Sequence, residues 1–161
     1  LDLIDVLLDA GASSGGCPDD AIVNSNFAAA EHLIRRGAPL TLSTALCLDR
    51  SDDADRLVKS ASPGDMQFAL VMSALKGKPE AIRRLLQSGA DVNARSNDLF
   101  PHATPLHHAV SSGSLPSVRA LVDSGASLDT VDTVYHGTPL GWAEHGKHEE
   151  IAAYLRMKMR Y

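Results

Sequence analysis

Histidines are the residues of this chain whose type and spacing first suggest chemistry. Six of the seven lie between residues 102 and 148, and His145 and His148 form an H-x-x-H pair of the kind that can bind zinc. The pair spans a turn at Gly146, however, and no cysteine lies nearby in the sequence. Because a turn does not place both rings on one helix face, we expect no metal site and no cofactor.

The remaining reactive residue types do not form a recognisable catalytic set. The sequence has no Gly-rich phosphate loop and no G-x-S-x-G turn, and neither Cys17 nor Cys47 has a histidine spaced to activate it. Four aspartates cluster between residues 49 and 55. We interpret them as a solvated turn, with binding of a basic partner segment as the alternative. The sequence therefore predicts a protein that is not an enzyme.

Composition and charge exclude several classes of partner. The chain has 161 residues, 44% of them hydrophobic, and a formal net charge of −5. Neither half is a basic patch, which argues against nucleic acid as the main partner. No apolar run reaches the roughly 20 residues of a membrane span. Two cysteines do not form a disulfide framework, so we expect a reducing compartment and a cytoplasmic location.

A recurring Gly-Ala dipeptide indicates how the candidate residues are positioned. It occurs at 11–12, 37–38, 89–90 and 125–126, and each copy follows a pair of aliphatic residues at the same distance. Glycine after the last apolar turn of a helix is a common C-terminal cap, because it adopts the left-handed conformation without a Cβ clash. The dipeptide therefore predicts the ends of repeated helices.

A second recurring motif, Thr-Pro-Leu, predicts where helices begin. It occurs at 104–106 and again 34 residues later at 138–140. Threonine can cap the first free N–H groups, and proline suits the first helical position. One unit is then a first helix from Thr104 to about Gly113, a second helix opened by Pro116, and an end at Gly125.

These motifs resemble the ankyrin repeat. Residues 104–109, Thr-Pro-Leu-His-His-Ala, match the ankyrin signature T-P-L-H-x-A in full. Residues 89–94 are similar to the ankyrin repeat ending, and residues 148–151 to its second-helix opening. The copy at 138–143 departs from the signature at Gly141, where the family usually has histidine. Tetratricopeptide repeats have a similar period, but their Trp, Gly, Tyr and Ala pattern is absent.

The resemblance implies an all-α fold, an ankyrin-type solenoid of helix-turn-helix units in one domain, residues 1–161. The motif spacing divides that domain into a half unit at 1–12 and units at about 15–38, 40–62, 65–94, 99–128 and 134–161. The early units are too short for the projecting β-hairpin of the family. We therefore expect short β-hairpin loops only in the later repeats.

The same resemblance implies that the chain binds another protein through hairpin tips and the exposed side of each first helix. It makes His107 a framework residue that bonds near the Thr104 cap. Phe100, Tyr135 and Trp142 together predict a shared aromatic patch, and aromatic residues dominate binding energy at interface centres. Alternatively, these rings pack their own hairpins or fill space between units. The partner-binding candidates are Met72, Lys76, Phe100, His102, His108, Ser112, Val134, Tyr135, His136, Trp142 and His145.

Three classes of function follow. The first is a monomeric, non-enzymatic protein–protein interaction module or scaffold. The second is an accessory repeat region of a larger enzyme or bacterial effector with its catalytic domain upstream. It follows from Leu1, which is not Met and lies within an apolar helical pattern, so we expect the natural chain to continue upstream. The third is a purely structural chain, either a rigid spacer or an assembly scaffold.

Overall fold

The computed structural model describes residues 17–160, which form ten α-helices in five consecutive pairs. The pairs are α1 (Pro18–Val23) with α2 (Phe27–Arg35), α3 (Leu42–Cys47) with α4 (Ser51–Leu57), α5 (Pro63–Leu75) with α6 (Pro79–Gln87), α7 (Pro105–Ser111) with α8 (Leu115–Asp123), and α9 (Pro139–His145) with α10 (Glu149–Lys158). The prediction of an all-helical chain is confirmed. The half unit predicted at 1–12 lies outside the described residues, and the unit boundaries remain an interpretation.

Helix starts follow the cap and proline signals of the sequence. Helix α9 begins one residue after Thr138, whose Oγ1 accepts a hydrogen bond from the backbone N–H of Gly141 at 3.1 Å. Helix α5 is opened by a reciprocal pair, in which Ser62 Oγ accepts from the Asp65 N–H and Asp65 Oδ2 accepts from the Ser62 N–H, both at 3.1 Å. Each bond satisfies an amide that has no partner within the helix.

The Gly-Ala dipeptides end α2, α6 and α8 in the same conformation. The glycines, Gly37, Gly89 and Gly125, have positive φ angles of 96°, 99° and 91°. In each case the N–H of the following alanine donates to the carbonyl five residues earlier, at 3.0 Å. This is the bonding of a Schellman-type C-cap, which requires a left-handed residue at the glycine position.

Successive pairs stack on one another and bury two apolar clusters, of which the larger extends from α3 to α10. The first helices α3, α5, α7 and α9 pack against one another in sequence, and the second helices α6, α8 and α10 do the same. Leu70, Ile82, Leu106 and Leu121 have no exposed surface, and burial of one such side chain stabilises the fold by roughly 1.5–3 kcal/mol. Among residues 17–160 no helix is long and apolar enough to cross a membrane.

Among residues 17–160, long connections occur only in the later units, between α6 and α7 and between α8 and α9. The prediction that they are β-hairpins is wrong in detail, because residues 17–160 contain no β-strand. In the second connection, residues 124–138, one backbone bond crosses the loop, from Asp132 N–H to the Gly137 carbonyl at 3.0 Å. The Asp132 side chain accepts the other backbone N–H groups of this turn. The loop therefore has no ladder of backbone hydrogen bonds.

Candidate functional site

The two long loops are bonded to each other and present one surface. Arg95 of the first loop, residues 88–104, donates from Nη2 to the Val131 carbonyl at 2.9 Å. In return, the Thr133 N–H of the second loop donates to the His102 carbonyl at 2.9 Å. Side chains near His102 and Thr133 are therefore held in a fixed relative position.

The first loop is also tied to the helices beneath it. Gln67 of α5 donates from Nε2 to the Ala94 carbonyl at 2.6 Å. Ser96 is buried, and its Oγ accepts the N–H groups of Asp98 and Leu99 at 3.3 and 3.1 Å. Leu99 in turn is buried in a second apolar cluster under the loop. The loop is thus a packed element with its tip at Phe100.

The assignment of Met72 to the binding face is wrong. This side chain has no exposed surface and belongs to the apolar cluster that contains Leu99, Val71 and Cys47. Helix α5 buries seven of its residues, and the first loop covers the side of the helix on which Met72 lies. Met72 therefore stabilises the loop from below.

Asp132 organises the second loop from a fully buried position. Its Oδ1 accepts the backbone N–H groups of Val134 and Tyr135 at 2.9 and 2.6 Å. Its Oδ2 accepts the Gly137 N–H and the indole N–H of Trp142, both at 2.9 Å. Burial raises the pKa of this carboxyl, but the four hydrogen bonds outweigh it and hold the pKa well below its usual range. The carboxylate is therefore ionised beneath the loop.

Four rings from the two loops and α9 form what we call the aromatic surface: Phe100, His102, Tyr135 and Trp142. The centroid of the His102 ring lies 6.4 Å from that of Phe100, 6.2 Å from that of Tyr135 and 6.1 Å from that of Trp142. Phe100 is 41% exposed and Tyr135 is 73% exposed. The structure thus brings together Phe100, Tyr135 and Trp142, the residues of the predicted aromatic patch, and places the candidate His102 between them.

His108 lies beneath this surface, and its assignment as an exposed contact residue is wrong. It is 3% exposed, covered by the rings of Phe100 and Trp142 at 5.8 and 6.4 Å. Burial, followed by the nearby His102, lowers the pKa of its imidazole to about 4. Within residues 17–160 its buried Nε2 has no hydrogen-bond partner. A neutral ring thus lies under the aromatic surface with one unused acceptor or donor atom.

His107 has the framework role that its motif predicts. The backbone N–H of Thr104 donates to His107 Nδ1 at 3.3 Å, and the Thr104 hydroxyl lies 2.8 Å from the same atom. Because Nδ1 accepts from the amide, the ring proton is on Nε2, which donates to the Gly137 carbonyl at 3.0 Å. Burial lowers the pKa of this imidazole as well. His107 joins one unit to the loop of the next.

Two further candidates have their polar groups engaged within the chain. Lys76 donates from Nζ to the Val23 carbonyl at 2.7 Å and to Ser25 Oγ at 2.8 Å, and burial lowers the pKa of its ammonium group. Ser112 donates from Oγ to the Ala109 carbonyl at 2.7 Å. Both side chains are half-buried, and both stabilise helix ends.

The last three candidates are exposed beside the aromatic surface. Val134 is 56% exposed, and His136, with a positive φ of 55°, is exposed at the same turn. His145, at the end of α9, lines a cavity of about 460 Å³ between α7 and α9, together with Tyr135 and Trp142. The motif spacing thus predicts segments that lie together at this surface, while the burial of individual side chains depends on packing that spacing does not report.

The sequence analysis names two other polar groupings, the aspartates at 49–55 and the H-x-x-H pair at 145–148. Asp49, Asp53 and Asp55 each pair with a basic side chain, and their partners are Lys78 at 2.7 Å, Arg56 at 3.0 Å and Arg84 at 3.3 Å. In residues 17–160 no three histidine, cysteine or acidic side chains come close enough to hold a metal ion. The His148 ring packs against Gly113 and Gly146 instead.

Comparison with known proteins gives matches along almost the whole described chain. A family model described as "Ankyrin repeats (3 copies)" matches residues 20–132 and 70–160. The chain is 34% identical to human ankyrin repeat domain-containing protein 49, over 52% of this chain and 34% of that protein. It is 27% identical to rat cyclin-dependent kinase 4 inhibitor B, over 57% of this chain and 93% of that protein.

Other relatives are much longer than this chain. Mouse protein phosphatase 1 regulatory subunit 12A is 39% identical over 41% of this chain, and the match spans 6% of the mouse protein. The chain thus corresponds to a small part of the first relatives that it matches.

Proposed function

This chain belongs to the ankyrin-repeat family, and we propose that it works as a non-enzymatic module that binds a partner protein through the aromatic surface. Ankyrin repeats are protein-interaction modules, and the relatives include a regulatory subunit and an inhibitor. A cytoplasmic monomer is part of the proposal. Its support includes two free cysteines, Cys17 and Cys47.

The observation that carries the proposal is the rigid placement of exposed aromatic rings. Phe100 and Tyr135 project from loops that are bonded to each other, and Asp132 fixes both the second loop and Trp142. Binding costs less when the contact side chains are already ordered. Aromatic side chains in such positions supply most of the energy of many interfaces.

The test compares partner capture by three forms of the protein. Phe100→Ala with Tyr135→Ala removes the two most exposed rings and leaves the Trp142–Asp132 hydrogen bond in place. Met157→Ala with Met159→Ala removes apolar side chains of similar exposure, 48% and 49%, at the end of α10. We expect the first variant to lose capture by more than about tenfold, as hot-spot truncations do.

The methionine variant controls for general loss of exposed apolar area, and we expect it to capture as the wild type does. Thermal melts monitored by circular dichroism confirm that both variants fold. If the Phe100 and Tyr135 variant is folded and still captures the partner normally, the aromatic surface is not the binding site.

A second candidate is an accessory repeat region of a larger enzyme or effector. Its support is the small fraction, 6%, that the matched segment occupies in the protein phosphatase 1 regulatory subunit. Sequencing the full gene tests it, because a catalytic domain in the same chain is the expected result. A full-length chain made of repeats alone contradicts it.

A further inference from the structure

The cavity between α7 and α9 has two aromatic walls that meet at a corner. The rings of Tyr135 and Trp142 have centroids 6.4 Å apart and an interplanar angle of 68°. The cavity has a volume of about 460 Å³, and Ser111, His145 and His148 complete its lining. A flat or rod-shaped side chain that enters the corner can therefore contact both rings.

Glycines keep this corner open. A Cβ atom at Gly137 would lie 2.9 Å from Trp142 Cδ1, and one at Gly146 would lie 2.8 Å from His148 Cδ2. Either side chain would push a wall inward or displace it. Gly141, which stands where the preceding unit has His107, leaves a third part of the lining without a side chain.

The indole ring of Trp142 is polarised by a hydrogen bond to a carboxylate. Its Nε1–H donates at 2.9 Å to Asp132, a buried carboxylate that has no exposed surface. A hydrogen bond to an anion draws positive charge toward the N–H edge and leaves the ring face more negative, which strengthens its attraction for cations. The chain already places Arg119 and Lys158 over its Tyr154 ring, at 5.4 and 5.6 Å.

We propose that this corner receives an arginine side chain of the partner protein, stacked against Trp142 and Tyr135. The inference rests on the proposed function and names the chemistry of one contact within it. A guanidinium group suits the site because it is planar, always charged and weakly hydrated, so it stacks on aromatic faces at low desolvation cost. An uncharged apolar side chain gains nothing from the polarised indole.

The test uses the single tryptophan of the chain, whose indole N–H gives one isolated peak in a proton–nitrogen correlation spectrum. We would titrate the protein with N-acetyl-arginine methylamide and, separately, with the citrulline and leucine analogues. Citrulline has nearly the shape of arginine but no charge. We expect a saturable shift of the indole peak with arginine and binding at least about threefold weaker with the other two. Equal shifts with all three compounds, or none with arginine, overturn the proposal.

Two variants sharpen the result. Tyr135→Leu keeps an apolar wall but removes one π-face, and we expect it to weaken arginine binding. Val131→Ala changes an exposed apolar side chain of the same loop that is outside the cavity lining, and we expect no effect. If arginine fails to bind while the Phe100 and Tyr135 variant still loses partner capture, only this inference fails. If the arginine compound binds but the Phe100 and Tyr135 variant captures the partner as the wild type does, the proposed function fails instead.

Discussion

The carboxylate of Asp132 lies 2.9 Å from the indole Nε1 of Trp142 and accepts its hydrogen bond. The same carboxylate accepts three backbone N–H groups of the loop that precedes α9, from Val134, Tyr135 and Gly137. One buried charge thus fixes the loop, its exposed tyrosine and the tryptophan of the next helix. The rigidity of the aromatic surface therefore depends on a residue that does not reach the surface.

Replacement of Asp132 by alanine should destabilise the fold strongly. The substitution leaves three backbone N–H groups and an indole N–H without their acceptor. Each unsatisfied buried group costs about 1–3 kcal/mol, and the cost is smaller where water reaches the group. We expect the free energy of unfolding to fall by about 3 kcal/mol in urea titrations. Asp98→Ala, at an exposed position of the other loop, should change it by less than about 0.5 kcal/mol. Equal effects of the two substitutions would show that Asp132 has no special structural role.

The buried His108 predicts a loss of stability in mild acid. Its pKa falls from 6.5 in the unfolded chain to about 4 in the fold, so the folded state binds fewer protons than the unfolded state between these values. The contribution of the neutral His108 ring to the free energy of unfolding is fully present above pH 6.5 and is lost as the pH falls toward 4. The difference between the two pKa values corresponds to about 3 kcal/mol of that free energy.

The measurement is the free energy of unfolding of wild type and of His108→Leu between neutral pH and about pH 4. The difference between the two proteins should shift against the wild type by about 3 kcal/mol over this range. His107, whose pKa is also lowered by burial, acts in the same direction in both proteins and cancels. His136→Gln, at an exposed position, serves as the control and should follow the wild type. A difference that stays constant with pH would contradict the burial of His108.

The sequence predicts the helices well because their signals are local. Thr-Pro pairs and Gly-Ala pairs determine where single helices start and end through bonds a few residues long, as at Thr138 and Gly125. Repetition of these signals then predicts the stacking. The proximity of Phe100 and Tyr135 is predicted for the same reason, because equivalent positions of successive units are neighbours in a solenoid.

What the sequence does not predict depends on contacts between distant residues. Met72 is buried because Leu99 of the loop packs into its cluster, and His108 is buried because Phe100 and Trp142 cover it. A motif position gives the side of a helix, but not whether a loop lies over it. The role of Asp132 has a local signal, an aspartate followed by turn residues, that favours an Asx-type turn. Its bond to Trp142, ten residues away, has none.

Gly141 and Gly125 should respond in opposite directions to alanine. Gly141 lies inside α9, where a Cβ atom would meet only Thr138 Oγ1, at an ordinary 3.5 Å. Alanine there should raise the free energy of unfolding by about 0.5–1 kcal/mol, because glycine is a poor helix former. Gly125 has open space around it but a φ of 91°, so alanine should lower that free energy by about 1 kcal/mol through backbone strain alone. Thermal or urea unfolding of the two variants measures the direction of each change in the free energy of unfolding. Stabilisation by Gly125→Ala would contradict the left-handed cap that ends α8.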